Sequence, residues 1–246
     1  AESQGVELTA DERHELAIAG GGLTTYEFEN ALALSFIETK AEDGTGRFCP
    51  SVVYREKVQT VKKSGLAEIV DADLNPEDLG GLDLYKKWMN PRSKLFTDAA
   101  REYGIKPPKG TLLVGVPGAG KSLSAKICPV MLGGLPLLKV DMGRMYAGIV
   151  GASEQNMRNV LDLAEAISPC VLWIDEIERG LSGGESSGKT DGGTTDRIIG
   201  SLLNWMQDKT KPVFVFATSN DVTKLPPQLL RKGRFDELCF VDLPTV

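Results

Sequence analysis

From Gly110 onward, short apolar runs alternate with segments in which apolar residues return every three or four positions. The runs are Leu112-Leu113-Val114, Leu137-Leu138-Lys139-Val140, Val171-Leu172-Trp173-Ile174, Val213-Phe214-Val215-Phe216 and Leu238-Cys239-Phe240-Val241. Their length and their β-branched and aromatic content predict buried strands, and the periodic segments predict helices over about residues 122–132, 154–166 and 194–207. Ile198, Leu202, Trp205 and Met206 mark the apolar side of the last helix, read as core rather than as cofactor contacts. This alternation predicts an α/β fold with a parallel sheet wrapped by helices.

Upstream of Gly110 the pattern changes. Leu8-Thr9-Ala10-Asp11-Glu12 places a capping Thr before acidic residues, and Thr24 or Thr25 is placed to cap a second helix containing Phe28, Ala31, Leu32 and Phe36. Gly20-Gly21-Gly22 separates the two. The polar break Ala41-Glu42-Asp43-Gly44-Thr45-Gly46 precedes a third helix expected over about residues 51–64, and residues 71–78 read as a linker. The expected organisation is a helical N-terminal region over 1–70, a connecting segment over 71–109 and an α/β domain over 110–246, with no internal repeat.

Composition narrows the function classes. The 246 residues are 41% hydrophobic and 25% charged, ordinary for a globular chain that buries a full core. No apolar stretch approaches the roughly 20 residues that cross a membrane, so no membrane role is expected. The first residues show no secretion signal and lack an initiator Met. Cys49, Cys128, Cys170 and Cys239 have no CxxC spacing, so neither a zinc site nor a disulfide framework is expected. The formal charge of −6 speaks against a large phosphate-neutralising surface, and a nucleic-acid partner is disfavoured. His14, the one histidine, lies among charged neighbours and is expected on the surface.

The candidate chemistry lies at the ends of the predicted strands. Gly115-Val116-Pro117-Gly118-Ala119-Gly120-Lys121-Ser122 is a complete G-x-x-x-x-G-K-[ST] between a strand and a helix. Its glycines let backbone N–H groups turn inward around phosphates, Lys121 supplies charge to the β and γ phosphates, and the Ser122 hydroxyl reaches magnesium. Val171-Leu172-Trp173-Ile174 delivers Asp175 and Glu176 to the edge of the sheet where ligands of open α/β sheets bind. Asp175 suits a magnesium role, directly or through water, and Glu176 suits activation of the attacking water. The strand ending at Ala217 places Asn220 where it could hold that water, although Asn after a strand is also a common turn former. Arg231 and Arg234 flank Gly233 before the last strand, in position either to serve as solvated surface charges or to neutralise a transferring phosphoryl group from a neighbouring subunit.

These motifs, in this order, resemble the AAA ATPases over roughly residues 76–244, beginning at Leu79-Gly80-Gly81-Leu82 and Pro107-Pro108-Lys109-Gly110. The resemblance implies a P-loop NTPase fold, the AAA+ large subdomain, with a five-stranded parallel sheet in the order 5-1-4-3-2. It implies ATP and Mg2+ as cofactors. Leu79 and Gly80 would contact adenine, and Pro117, Gly118, Ala119, Gly120, Lys121, Ser122 and Leu123 would surround the phosphates. Ser122 and Asp175 would hold the metal, Asp175 and Glu176 form the Walker B pair, Asn220 is the sensor, and Arg231 and Arg234 are fingers acting in trans. A homo-oligomer, usually a hexameric ring, is implied, acting on an unknown client, expected to be protein, in the cytoplasm or the equivalent plastid stroma. A helical lid would follow the last strand, and the chain stops ten residues after Asp236, before it.

Asp141-Met142-Gly143-Arg144-Met145-Tyr146-Ala147-Gly148-Ile149-Val150-Gly151-Ala152-Ser153-Glu154, Leu172-Trp173-Ile174-Asp175-Glu176-Ile177-Glu178 and Phe235-Asp236-Glu237 narrow the resemblance to the plastid and cyanobacterial open-reading-frame AAA proteins. Where unfoldases of this class carry an aromatic pore residue, this chain has Ile149, Val150 and Gly151, and Tyr146 either substitutes or packs against the subdomain. The Gly-rich residues 180–193 would form a second pore loop or a mobile segment. A nucleotide-gated scaffold that binds partners without threading them is therefore the alternative to a remodeller, with a nucleic-acid loader third.

Overall fold

A computed structural model describes residues 8–20, 23–40, 46–65, 67–71, 74–140, 142, 152–180, 192–231 and 233–243. Tyr146, Ile149, Val150, Gly151 and nearly all of the Gly-rich segment lie outside the described residues. The chain divides into two compact units, residues 1–65 and 66–246. Among the described residues, no helix is long and apolar enough to cross a membrane.

The first unit is built from α1 (Ala10–Gly20), α2 (Thr25–Glu38) and α3 (Pro50–Ser64), the three helices expected there. Thr24 caps α2: Thr24 Oγ1 accepts from the Glu27 N–H at 3.3 Å, and Glu27 Oε2 accepts from the Thr24 N–H at 2.9 Å. Thr9 and Glu12 repeat this reciprocal pattern at the start of α1, at 3.3 and 2.9 Å. Each box satisfies two backbone donors that the helix cannot pair itself. Leu16, Ala19, Ala31 and Val53 form the small core, with Phe28 and Phe48 packed against it.

The second unit holds a sheet of β1 (Ala67–Val70), β2 (Gly110–Gly115), β3 (Leu137–Val140), β4 (Cys170–Ile174), β5 (Val213–Ser219) and β6 (Glu237–Val241). Its helices are α4 (Asp83–Met89), α5 (Asp98–Glu102), α6 (Lys121–Met131), α7 (Ala152–Ile167) and α8 (Gly192–Asp208). The strand order is β1-β3-β4-β5-β2-β6. This corrects the expected five-stranded parallel sheet: among the described residues it has six strands and is mixed, and its order departs from 5-1-4-3-2 by an added edge strand, the parallel five keeping their mutual order. Strand β1 runs antiparallel to β3, Ala67 opposite Val140 and Val70 opposite Leu137. Ala67 and Ile69 are buried while Glu68 is exposed, the alternation of a strand with one covered face. Residues 67–70 thus join the sheet instead of the helical region expected over 1–70.

Every residue of β2, β4 and β5 is buried, as suits parallel strands covered on both faces. The connecting segment expected over 71–109 is itself structured. Tyr85 of α4 meets Phe216 edge-on, ring centroids 6.4 Å apart, and Phe96 meets Phe214 at 6.2 Å, so residues 83–96 cover part of the sheet. Both ends of β2 require glycine, because a Cβ at Gly110 would sit 2.0 Å from the Val215 carbonyl oxygen and one at Gly115 1.9 Å from that of Val241.

The opposite end of β2 is pinned by charge. Asp236 Oδ2 accepts from the Lys109 and Gly110 N–H groups at 2.5 and 3.0 Å. Nearby, Lys209 Nζ donates to the Val213 carbonyl at 2.6 Å. Burial pushes the Lys209 ammonium down to about 8, with Lys109 adding repulsion and Asp236 opposing it. Since the unfolded chain holds this proton up to about pH 10.4, the unfolded state binds more protons between the two values, and this group makes stability rise with pH across that window. We predict that denaturant titrations at about pH 8 and about pH 10 give a rise for the parent that is smaller in Lys209→Met. An unchanged rise in the variant would assign it to other groups.

Candidate active site

The neighbouring positions of β2, β5 and β4 bring three strand ends together. The loop after β2 turns at Gly118 and Gly120, each with φ of 86°, a left-handed conformation that glycine adopts without strain. Gly120 caps α6, and its carbonyl accepts from the Ser124 N–H at 2.9 Å. Lys121 opens α6 and is 7% exposed. Its Nζ donates to the Gly115 carbonyl at 2.7 Å and to the Val116 carbonyl at 2.8 Å, folding the side chain back over its own loop. Burial lowers the Lys121 ammonium, and Glu178, Glu176 and Asp175 oppose that shift. The Ser122 side chain stands exposed in the first turn of α6.

From β4, Asp175 and Glu176 enter this space. Thr218 Oγ1 of β5 donates to Asp175 Oδ1 at 2.7 Å and accepts from the Glu176 N–H at 2.9 Å. One hydroxyl therefore holds both acidic residues. Lys139 of β3 places its Nζ 3.7 Å from Asp175 Oδ2 and 4.5 Å from the centroid of the Trp173 ring. Glu176 has φ of 47°, uncommon for a residue with a side chain. Asn220 Nδ2 donates to Glu176 Oε1 at 2.9 Å, and Arg179 pairs with Glu176 Oε2.

Lys121, Asp175, Glu176 and Asn220, singled out by sequence, are thus gathered at one sheet edge. Leu79 and Gly80 follow the turn Pro76–Asp78, which packs against α6. Leu79 is buried, its carbonyl accepting from Lys86 Nζ, while Gly80 is exposed. The two arginines differ in their surroundings. Arg231 is exposed, whereas Arg234 Nη1 donates to the Leu203 carbonyl of α8 at 2.5 Å. Thr218, Lys139, Glu178 and Arg179 were not assigned a role by sequence. Thr218 and Lys139 had a usable signal, being polar residues at the carboxyl ends of otherwise apolar strands.

The Thr218 bridge gives a direct prediction. Thr218→Val keeps the shape of the side chain but leaves a carboxylate oxygen and an N–H without their partner, which costs about 1–3 kcal/mol. Denaturant titration is expected to show that loss, with Thr218→Ser close to the parent. A Val variant as stable as the parent would mean the bridge contributes nothing.

Residues 111–243 match the model of the ATPase family associated with various cellular activities, AAA. A protein of Guillardia theta described as the uncharacterized AAA domain-containing protein ycf46 is 42% identical over 99% of this chain and 47% of its own length. The protein of the same description from Pyropia yezoensis is 46% identical over 78% of this chain and 39% of its length. The peroxisomal ATPase pex6 of Schizosaccharomyces pombe is 34% identical over 69% of this chain and 18% of its length. The chain spans about half the length, or less, of these curated relatives. With its phosphate loop, its paired carboxylates and a family match over more than half of its residues, the chain belongs to the AAA family of ATPases.

Proposed function

We propose that the chain hydrolyses Mg-ATP at the interfaces of a ring-shaped homo-oligomer, hexameric in the usual arrangement of such proteins, and uses the energy to remodel a protein client. The observation that carries the hydrolysis part of this reading is the contact between Asn220 Nδ2 and Glu176 Oε1, beside a phosphate loop whose lysine is folded inward. With Asn220 Nδ2 hydrogen-bonded to Glu176 Oε1 at 2.9 Å, the base and the amide lie side by side, placed to contact one water on their shared side.

On nucleotide binding, Lys121 exchanges the Gly115 and Val116 carbonyls for phosphate oxygens. The N–H groups around Gly118, Ala119 and Gly120 would surround the phosphates, with Pro117 before them and Leu123 after them. Exposed Gly80 and its neighbour Leu79, after the turn that packs against α6, would contact adenine. Ser122 and Asp175 fit a magnesium ion, since both offer hard oxygen donors. Among the described residues no three or more His, Cys, Asp or Glu could hold a metal ion together, so the remaining ligands would be phosphate and water. Bound there, the metal supplies charge neutralisation at the phosphates. Thr218 and Lys139 hold Asp175 for that role. Glu176 takes the proton of the attacking water while Asn220 fixes the water's position. Exposed Arg231 suits a finger reaching a neighbouring subunit, and Arg234, through Leu203, braces the segment that carries it. The reading assigns the chain to the cytoplasm or the equivalent plastid stroma.

We predict that Glu176→Gln keeps nucleotide affinity and lowers turnover by at least about a hundredfold. Arg231→Ala is expected to slow turnover without weakening nucleotide binding by the isolated subunit. Phosphate release and fluorescent-nucleotide titration check both. Turnover equal to the parent in the two variants would sink the site assignment.

A further inference from the structure

Glu178 has no part in the steps above, yet it is the most deeply placed carboxylate at the site. It is 5% exposed, against 27% for the side chains of Asp175 and Glu176. It lies in the short 3-10 turn Ile177–Gly180, anchored by fully buried Ile177, directly after Glu176 turns the chain away from β4. A carboxylate with so little solvent is costly unless donors meet it, and one donor is the backbone N–H of Asn220, 2.8 Å from Glu178 Oε1.

That donor is the link to the reaction. Strand β5 ends at Ser219, and its registered pairs stop at Ser219 with β2 and at Ala217 with β4. Asn220 is therefore the first residue beyond the ladder, where its N–H needs another acceptor. Glu178 supplies it. The Asn220 side chain meanwhile donates to Glu176 Oε1 at 2.9 Å, so the residue is held by one carboxylate at its backbone and by another at its amide. Glu178 is also the foremost charge opposing the burial-driven lowering of the Lys121 ammonium, which puts its field across the phosphate loop as well.

We infer that Glu178 is a positioning residue for hydrolysis: its carboxylate oxygen fixes the backbone of Asn220, and through Asn220 the placement of Glu176 against the attacking water. The inference rests on the ATP-hydrolysis reading. A purely structural brace would change stability or nucleotide affinity, whereas a positioning residue changes kcat at unchanged affinity.

The test is steady-state ATP turnover and nucleotide titration of the full chain carrying Glu178→Gln, Glu178→Asp, and Glu178→Asp combined with Asn220→Ala. Asp keeps the charge but draws the oxygen back by one methylene, and kcat is expected to fall on the order of tenfold with nucleotide Kd unchanged. Gln keeps an acceptor at the same reach, and its kcat is expected to exceed that of the Asp variant by about fivefold. In the Asn220→Ala background, Glu178→Asp is expected to cost no more than roughly a further twofold, because the two act as a unit. Gln as slow as Asp, affinity falling in step with kcat, or losses that multiply would each overturn the inference. A parent that turns over, is silenced by Glu176→Gln and is indifferent to every Glu178 change overturns the inference alone. A parent without turnover overturns the hydrolysis reading and this inference with it.

Discussion

The parallel pairing of β4, β5 and β2 is the constraint on which the rest of the site depends. Parallel neighbours end on the same edge of the sheet, so the residues that follow them are brought together whatever the chain does between. Because β5 lies in the middle, Asn220 falls between the carboxylates after β4 and the phosphate loop after β2. Complete burial of the three strands makes slippage costly, since the side chains fill both faces of the sheet. Thr218 adds a cross-link, its hydroxyl joining β5 to the first two residues after β4.

On that edge Asp175 and Glu176 are each met by a cation of their own chain. Lys139 faces Asp175 and Arg179 pairs with Glu176, while the phosphate-loop lysine is occupied by two carbonyls. The Arg179 pair is largely exposed on its cationic side, where such pairs contribute little stability; it adds local charge balance more than rigidity. The two arginines before β6 differ in their surroundings. Arg234 Nη1 donates to an internal carbonyl, and Arg231 is exposed.

Much of this was legible in the sequence because the signals were long or chemically unusual. The five parallel strands announced themselves as apolar runs, and the phosphate loop and the Asp175-Glu176 pair followed two of them directly. Strand β1 was missed because its four residues, one of them polar, are too few to display an alternation. Residues 83–96 were missed because short helices carry too few turns to display a period, although Tyr85 and Phe96 now prove to cover the sheet. The different fates of Arg231 and Arg234 depend on the placement of α8, which no local pattern encodes. Glu178 was quoted only as part of a longer match. Its contact with Asn220 spans 42 positions and requires the fold to be known.

The central claim is that these strand ends form one nucleotide site. The most direct measurement is a structure of the chain carrying Glu176→Gln with Mg-ATP bound. The account predicts that Lys121 Nζ has left the Gly115 and Val116 carbonyls for the β and γ phosphates, with the metal between Ser122 and Asp175 and Asn220 facing the γ phosphate. A nucleotide bound elsewhere, or Lys121 still held by its own loop with phosphates present, would contradict it.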